Sequence, residues 1–102
     1  MGDPTPIGRF ELPSTADLAT MRDIKAALAE RLEAGQSIHL DASQVEEPST
    51  ALIQLIESAA ISYGARDLQV GLVSPSDALC QAYEDLGLFG ALMTRTAAVA
   101  EP

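Results

Sequence analysis

Two adjacent hydroxyl side chains, Ser49 and Thr50, stand where the sequence passes from a short acidic loop into an apolar helix. Backbone N–H groups at a helix N-terminus lack partners within the helix, and the helix dipole favours negative charge there. A phosphate carried by either hydroxyl would therefore gain charge-assisted hydrogen bonds. Serine and threonine are also common helix caps, so the same residues have a purely structural interpretation.

The other polar residues do not form a catalytic or metal-binding set. His39 and Cys80 are the only histidine and the only cysteine, which excludes an internal disulfide and a multi-cysteine metal site. Glu46 and Glu47 are adjacent in a loop and do not form the separated, converging carboxylate pair that hydrolysis requires. The glycines lack the spacing of a phosphate-binding loop. We therefore predict a protein that is not an enzyme and has no cofactor or metal.

The composition is that of one small acidic domain. Of the 102 residues, 47% are hydrophobic and 21% charged, and the net charge is −9. This length suffices for one core and not for two. The negative charge disfavours nucleic acid and anionic membranes and favours basic protein surfaces as partners. No apolar run reaches the roughly 18 residues of a membrane span, and the first residues do not resemble a secretion signal, so we expect a cytoplasmic protein of bacterial type.

The pattern of apolar residues predicts strands alternating with helices. Strands are expected over residues 7–12, 37–42 and 68–73. Helices are expected over residues 16–34, from Ser49 or Thr50 to Tyr63, and from Ser76 to Leu86, with a last short segment over residues 88–93. Such alternation predicts an α/β fold: a small mixed β-sheet flanked by helices, with at least the inner strands parallel. Functional sites of such sheets lie beyond the carboxyl ends of the strands, where residues 41–50 fall.

The expected core includes residues from each helix. The first helix should point Leu18, Met21, Ile24, Leu28 and Leu32 inward. The third should contribute Leu79, Ala82, Tyr83 and Leu86, and the last segment Leu88, Phe89, Leu92 and Met93. Residues 1–6 are predicted to be a flexible lead-in and residues 95–102 a flexible tail, which leaves residues 7–94 as the folded domain.

Two blocks of sequence resemble a known family. Leu40-Asp41-Ala42-Ser43-Gln44-Val45, followed by Ser49-Thr50-Ala51, resembles the signature of STAS domains, the family of bacterial anti-sigma factor antagonists. In that signature a strand ending Leu-Asp-x-Ser is followed by Asp-Ser/Thr at the start of a helix. The second block, Val73-Ser74-Pro75-Ser76 with Leu79, Leu86-Gly87-Leu88 and Leu92, is similar to the family's end-of-strand turn and final helix.

The resemblance implies a regulatory protein-binding module with a STAS-like (anti-sigma factor antagonist-like) fold. In the family, a histidine-kinase-like Ser/Thr kinase phosphorylates the hydroxyl at the helix start, and the phosphate switches partner binding off. This role falls on Thr50, with Ser49 as a second candidate at the family's aspartate position. The implied partner is such a kinase or an anti-sigma factor, in a partner-switching or chemotaxis/two-component-type pathway. The predicted partner-binding residues are Asp41, Ser43, Glu46, Glu47, Ser49, Thr50, Ala51, Ile53 and Gln54.

A second interpretation makes the chain a constitutive subunit. STAS domains are also similar to the small cytoplasmic subunit of bacterial lipid-trafficking ABC transporters, which binds its transporter ATPase through the same helix without phosphorylation. The serine at position 49, in place of the family's aspartate, favours this alternative.

Overall fold

The computed structural model describes residues 7–99, so the predicted lead-in over residues 1–6 lies outside the described residues. Strands and helices alternate as the sequence predicts. Their bounds are β1 (Gly8–Glu11), α1 (Leu18–Glu33), β2 (Ile38–Asp41), α2 (Thr50–Gly64), β3 (Val70–Val73), α3 (Asp77–Asp85) and α4 (Phe89–Ala97). The predicted α/β class is confirmed.

The three strands form a sheet in the order β1-β2-β3. Both pairs are parallel, so pairing among the described strands is parallel throughout, whereas the sequence predicts a mixed sheet with parallel inner strands. Phe10, Leu40 and Leu72 lie side by side across the sheet. Because successive side chains of a strand alternate between faces, this row and its neighbours at two-residue spacing line the core.

The core lies between this face and the helices. Helix α2 buries four side chains, and its contacts with both α1 and β3 place it at the centre of the helical layer. The buried hydrophobic side chains are Leu12, Ile24, Leu28, Ile38, Leu40, Ala42, Val45, Leu52, Ile53, Ile56, Tyr63, Val70, Leu72, Leu79, Tyr83 and Leu92. Burial of aliphatic side chains contributes most of the stabilisation of such a domain.

Several residues predicted to face the core are exposed instead. Leu18 is 71% exposed and Leu86 is 42% exposed, while Phe89 and Met93 of α4 are about half exposed. Leu18 is the first residue of α1, and Leu86 is the C-cap of α3. Leu18 precedes Ile24 by six residues, which at about 100° per residue turns it roughly 120° away from the buried stripe.

Helix α4 continues past the predicted end of the folded domain. It ends at Ala97, so residues 95–97, predicted to begin a flexible tail, form its last turn. Arg95 explains the difference: its Nη1 donates to the carbonyl oxygen of Val70 at 3.2 Å, and its Nε lies 3.6 Å from the Glu57 carboxylate. Residues 100–102 lie outside the described residues.

Candidate functional site

The loops that follow the three strands meet at one edge of the sheet. Parallel strands end on the same side, and each of these strands is followed by a helix. Asp17, Ser49 and Ser76 cap the helices, and each side chain accepts the backbone N–H three residues later. This geometry is the standard N-cap. Three helix N-termini therefore open at the edge where the sequence predicts the site.

The loop between β2 and α2, residues 42–49, is hydrogen-bonded to the loop after β3. The Ser76 N–H donates to the Ala42 carbonyl oxygen at 3.1 Å, and the Ser76 hydroxyl donates to the Val45 carbonyl oxygen at 2.5 Å. Val45 is 1% exposed and belongs to the core cluster. An apolar side chain and two hydrogen bonds thus hold the middle of this loop.

On its other side, the same loop is hydrogen-bonded to the loop after β1. Backbone N–H groups of Glu46 and Glu47 both donate to the Ser14 carbonyl oxygen, at 3.0 and 3.1 Å. Thr15 and Glu47 form a parallel β-bridge, and the Thr15 hydroxyl donates to Glu47 Oε1 at 3.3 Å. The acidic loop therefore has a defined shape set by both of its neighbours.

Asp41 and Ser43 form a tight turn at the start of this loop. Asp41 Oδ1 accepts the Ser43 N–H at 3.0 Å and the Ser43 hydroxyl at 2.8 Å. These two hydrogen bonds, together with the positive charge of Arg9, lower the pKa of the Asp41 carboxyl below its usual value. Asp41 is consequently ionised at neutral pH, and its carboxylate orients the Ser43 side chain.

The two hydroxyls at the start of α2 have different surroundings. Ser49 Oγ accepts the Leu52 N–H at 3.0 Å, which confirms Ser49 as a helix cap. Thr50 is the first residue of α2 and is exposed. Within residues 7–99, its hydroxyl has no hydrogen-bond partner. Of the two hydroxyls, that of Thr50 is the one open to a modifying enzyme or a partner.

Nine residues at this edge are predicted to bind a partner. Eight of them are exposed or half-buried, and the ninth is buried. The eight that are exposed or half-buried are called the docking surface below, after the sequence-based prediction that they contact a partner: Asp41, Ser43, Glu46, Glu47, Ser49, Thr50, Ala51 and Gln54. Ile53 is 1% exposed and packs in the core, so the prediction that it contacts a partner is wrong. Ile53 lies three residues before the buried Ile56, so both side chains fall on the face of α2 that packs in the core.

The other residues that could support chemistry, Cys80 and His39, are both half-buried. Cys80 is half-buried, and its thiol lies 3.9 Å from the Pro75 carbonyl oxygen. Burial and the nearby Asp77 and Glu84 raise the pKa of this thiol, which disfavours the reactive thiolate. His39 lies in the middle of β2 and is half-buried. Within residues 7–99 no group of three or more His, Cys, Asp or Glu side chains has a metal-binding arrangement.

A partly buried polar cluster of Tyr83, Glu57 and Arg95 joins three helices. The hydroxyl of Tyr83, on α3, donates to Glu57 Oε2, on α2, at 2.8 Å, and the same oxygen lies 3.6 Å from Arg95 Nε, on α4. Burial, and next the bond to Glu57, raise the pKa of Tyr83. Sequence reasoning missed this cluster, because the three residues are far apart in the chain and only tertiary packing joins them.

A cavity of about 540 Å³ lies away from the docking surface. It is lined in part by Gly64, Asp67 and Gln69, which precede β3 at the opposite edge of the sheet. A smaller cavity of about 200 Å³ is lined by Arg9, Phe10, Glu11 and Asp41, so it reaches the docking surface only at Asp41.

Comparison with known proteins gives one match. A family model described as "Mlab, STAS domain" matches residues 8–94. No curated protein and no solved structure matches the chain significantly. The matched span contains all three strands, helices α1 to α3 and the docking surface. Within the described residues, no helix combines the length and apolarity needed to cross a membrane.

Proposed function

Because the chain belongs to the STAS domain family, whose members are generally non-enzymatic modules that bind protein partners, we propose that it binds a regulatory protein through the docking surface and that Thr50 carries the switch. The observation that carries this proposal is the contrast at the start of α2. Ser49 is occupied as the cap, while the adjacent Thr50 hydroxyl is exposed and without a hydrogen-bond partner in the described residues.

A phosphate on Thr50 would change the docking surface by charge. It would add about −1.5 to −2 charges at neutral pH. Glu46 and Glu47 are exposed in the loop just before α2, so the phosphate would make an already negative electrostatic potential more negative. A partner whose basic side chains lie around Thr50, and not against it, would bury that phosphate without a compensating charge, which is strongly unfavourable. Phosphorylation would therefore release the partner.

The proposed partner is a histidine-kinase-like Ser/Thr kinase or an anti-sigma factor. The pathway would be of the partner-switching or chemotaxis/two-component type, with the unphosphorylated chain as the binding form. The net charge of −9 supports a partner with a basic contact surface, since complementary potentials speed association and disfavour wrong partners.

A pull-down from the native host tests the proposal. We expect the wild type and Ser62→Asp to retain one common partner and Thr50→Asp to lose it. Ser62 is the matched control, because it is an exposed hydroxyl residue near the far end of the same helix. Incubation with the recovered kinase and ATP should place phosphate on Thr50, as mapped by mass spectrometry. Unmodified Thr50 and Ser49, together with full partner retention by Thr50→Asp, would rule out the switch.

A second candidate function is a constitutive subunit that binds the ATPase of a lipid-trafficking ABC transporter. Ser49 supports this alternative, because the cap at this position is neutral and the family's aspartate is absent. Here the same pull-down should recover an ATPase, and the purified complex should contain unmodified Thr50. Phosphatase treatment of the cell extract would then leave the amount of bound ATPase unchanged. Under the first proposal, the same treatment would remove the phosphate from Thr50 and so increase the amount of bound partner.

A further inference from the structure

Leu18 is an exposed apolar residue that the core does not use. It is the first residue of α1, and 71% of its surface is open to solvent. It is neither in the core cluster nor among the residues packed against that cluster. Single exposed apolar residues are common, so the exposure of Leu18 alone does not indicate a binding role, and its neighbours must be considered.

The backbone places Leu18 beside Thr50. The parallel bridge pairs Thr15 with Glu47, and Leu18 and Thr50 each follow their bridge residue by three positions. Each is also the first residue of its helix, directly after the cap. Helices α1 and α2 therefore begin in register, side by side.

Packing along the two helices agrees with this register. Further along, Leu28 and Leu32 of α1 line one groove with Leu55 and Tyr63 of α2, and the Tyr63 hydroxyl donates to the Leu28 carbonyl oxygen at 2.6 Å. Packed helices lie about 8–10 Å apart. A partner that covers the start of α2 would therefore reach the start of α1.

Acidic residues directly precede both helix starts. Asp17 precedes Leu18, and Glu46 and Glu47 precede the start of α2 and are exposed. The hydrogen bond from the Thr20 N–H lowers the pKa of Asp17, which keeps its carboxylate charged. An apolar side chain with carboxylates on its loop side is complementary to an apolar pocket that carries basic residues on the matching side.

We propose that Leu18 is the apolar anchor of the docking surface and that it inserts into an apolar pocket bordered by lysine or arginine side chains on the partner protein. This inference rests on the proposed function, since it extends the same surface from α2 to α1. In this proposal Leu18 supplies much of the affinity for the partner, and phosphorylation of Thr50 controls whether the partner binds. Anchors of this kind, surrounded by polar contacts, carry a large share of the binding energy in protein interfaces.

Photo-crosslinking in the native host tests the anchor. The photoreactive residue p-benzoylphenylalanine is introduced separately at Leu18, at Ala51 on the docking surface and at Ile61 as the control. Ile61 is matched in kind, because it is 77% exposed but lies near the far end of α2. We expect the probes at positions 18 and 51 to capture the same protein, with basic residues near the attachment point at position 18, and the probe at position 61 not to capture it.

The outcomes separate this inference from the proposed function. Capture at position 51 without capture at position 18, or equal capture at position 61, overturns the anchor and leaves the docking surface standing. Absence of capture at both positions 18 and 51 overturns both. Attachment at position 18 to a second copy of this chain would show that the anchor serves self-association, which overturns the proposed partner.

Affinity measurement completes the test. With the captured protein purified, Leu18→Ser should bind roughly tenfold more weakly than wild type in calorimetric titration, the loss expected when one leucine side chain is no longer buried. Ile61→Ser should bind as wild type does. Both variants should melt at the wild-type temperature, because both side chains are exposed. Equal affinities for wild type and Leu18→Ser would contradict the inference.

Discussion

Ser49 and Thr50 are adjacent hydroxyl residues with separable roles, and alanine substitution should separate them. Ser49→Ala removes the acceptor of the Leu52 N–H and leaves that donor to solvent alone. Loss of such a cap costs about 1 kcal/mol of the free energy of unfolding. In a domain of this size, that corresponds to a fall in melting temperature of about 4–8 °C.

Thr50→Ala should have little effect on stability. The Thr50 hydroxyl is exposed and makes no hydrogen bond among the described residues, so its removal should change the free energy of unfolding by less than about 0.5 kcal/mol. Alanine also has the higher helix propensity. Ser49→Asp should restore the stability that Ser49→Ala loses, because a carboxylate accepts the same hydrogen bond and is favoured by the helix dipole at low ionic strength.

Urea denaturation followed by circular dichroism measures these differences. Partner binding, measured below the melting transition, should depend on the other position: Ser49→Ala should bind nearly as wild type does, and Thr50→Asp should not bind. Equal destabilisation by Ser49→Ala and Thr50→Ala would refute the assignment of the cap to Ser49. Full binding by Thr50→Asp would refute the assignment of control to Thr50.

Four further outcomes concern the core and the polar cluster of Tyr83, Glu57 and Arg95. Tyr83→Phe should lower the free energy of unfolding by about 1.5–3 kcal/mol in urea denaturation, because it removes a hydrogen bond to the Glu57 carboxylate; an unchanged midpoint would contradict this. Burial raises the pKa of Tyr83, so its contribution is fully present below the usual tyrosine pKa of about 10 and is lost as pH rises above that value; wild type should therefore lose stability on alkaline titration more steeply than Tyr83→Phe. Ile56→Ala should lower the free energy of unfolding by about 2–5 kcal/mol, since Ile56 is fully buried, and a loss below 1 kcal/mol would place it outside the core. Arg95→Ala should lower the melting temperature and speed amide exchange in α4, because it removes the bond to Val70; exchange at the wild-type rate would show that residues 95–97 do not hold the helix.

Much of the fold could be predicted because its signals are local. Ser49 and Ser76 cap their helices through bonds that span three residues, and such short patterns are legible in a sequence. The glycine after the first helix, Gly35, has a φ of 72°, as the left-handed end of a helix requires. The two-residue alternation of apolar side chains in β2 likewise identified the strand whose end carries the docking surface.

Leu18 and Leu86, which the sequence predicts in the core, stand at the ends of their helices and are exposed. A periodic pattern places Leu18 near the apolar stripe, but it does not state whether the core covers the first residue of the helix. The same holds for Leu86 at the end of α3. Ile53 was misplaced for the opposite reason, since a residue in the second turn of a docking helix can face either the partner or the core.

The bonds among the loops are the part of the site that no local pattern reveals. Ser14 accepts from the two glutamate N–H groups more than thirty residues away, and the Ser76 hydroxyl donates to Val45 at a separation of 31 residues. These bonds exist only because parallel strands bring their following loops to one edge. Their prediction requires the strand order and register, which the sequence alone leaves open.

The hydrogen bonds that hold residues 42–49 determine how a switch at Thr50 can work. Movement of residues 42–49 would break the bonds to Ser14 and to Ser76 and withdraw Val45 from the core. Each broken bond and the exposed valine cost about 1 kcal/mol or more, so rearrangement of the loop is disfavoured. A phosphate on Thr50 gains contacts only with the exposed helix start, which is too little to offset that cost. The switch is therefore expected to act through the charge presented to the partner, on a backbone that keeps one shape in both states.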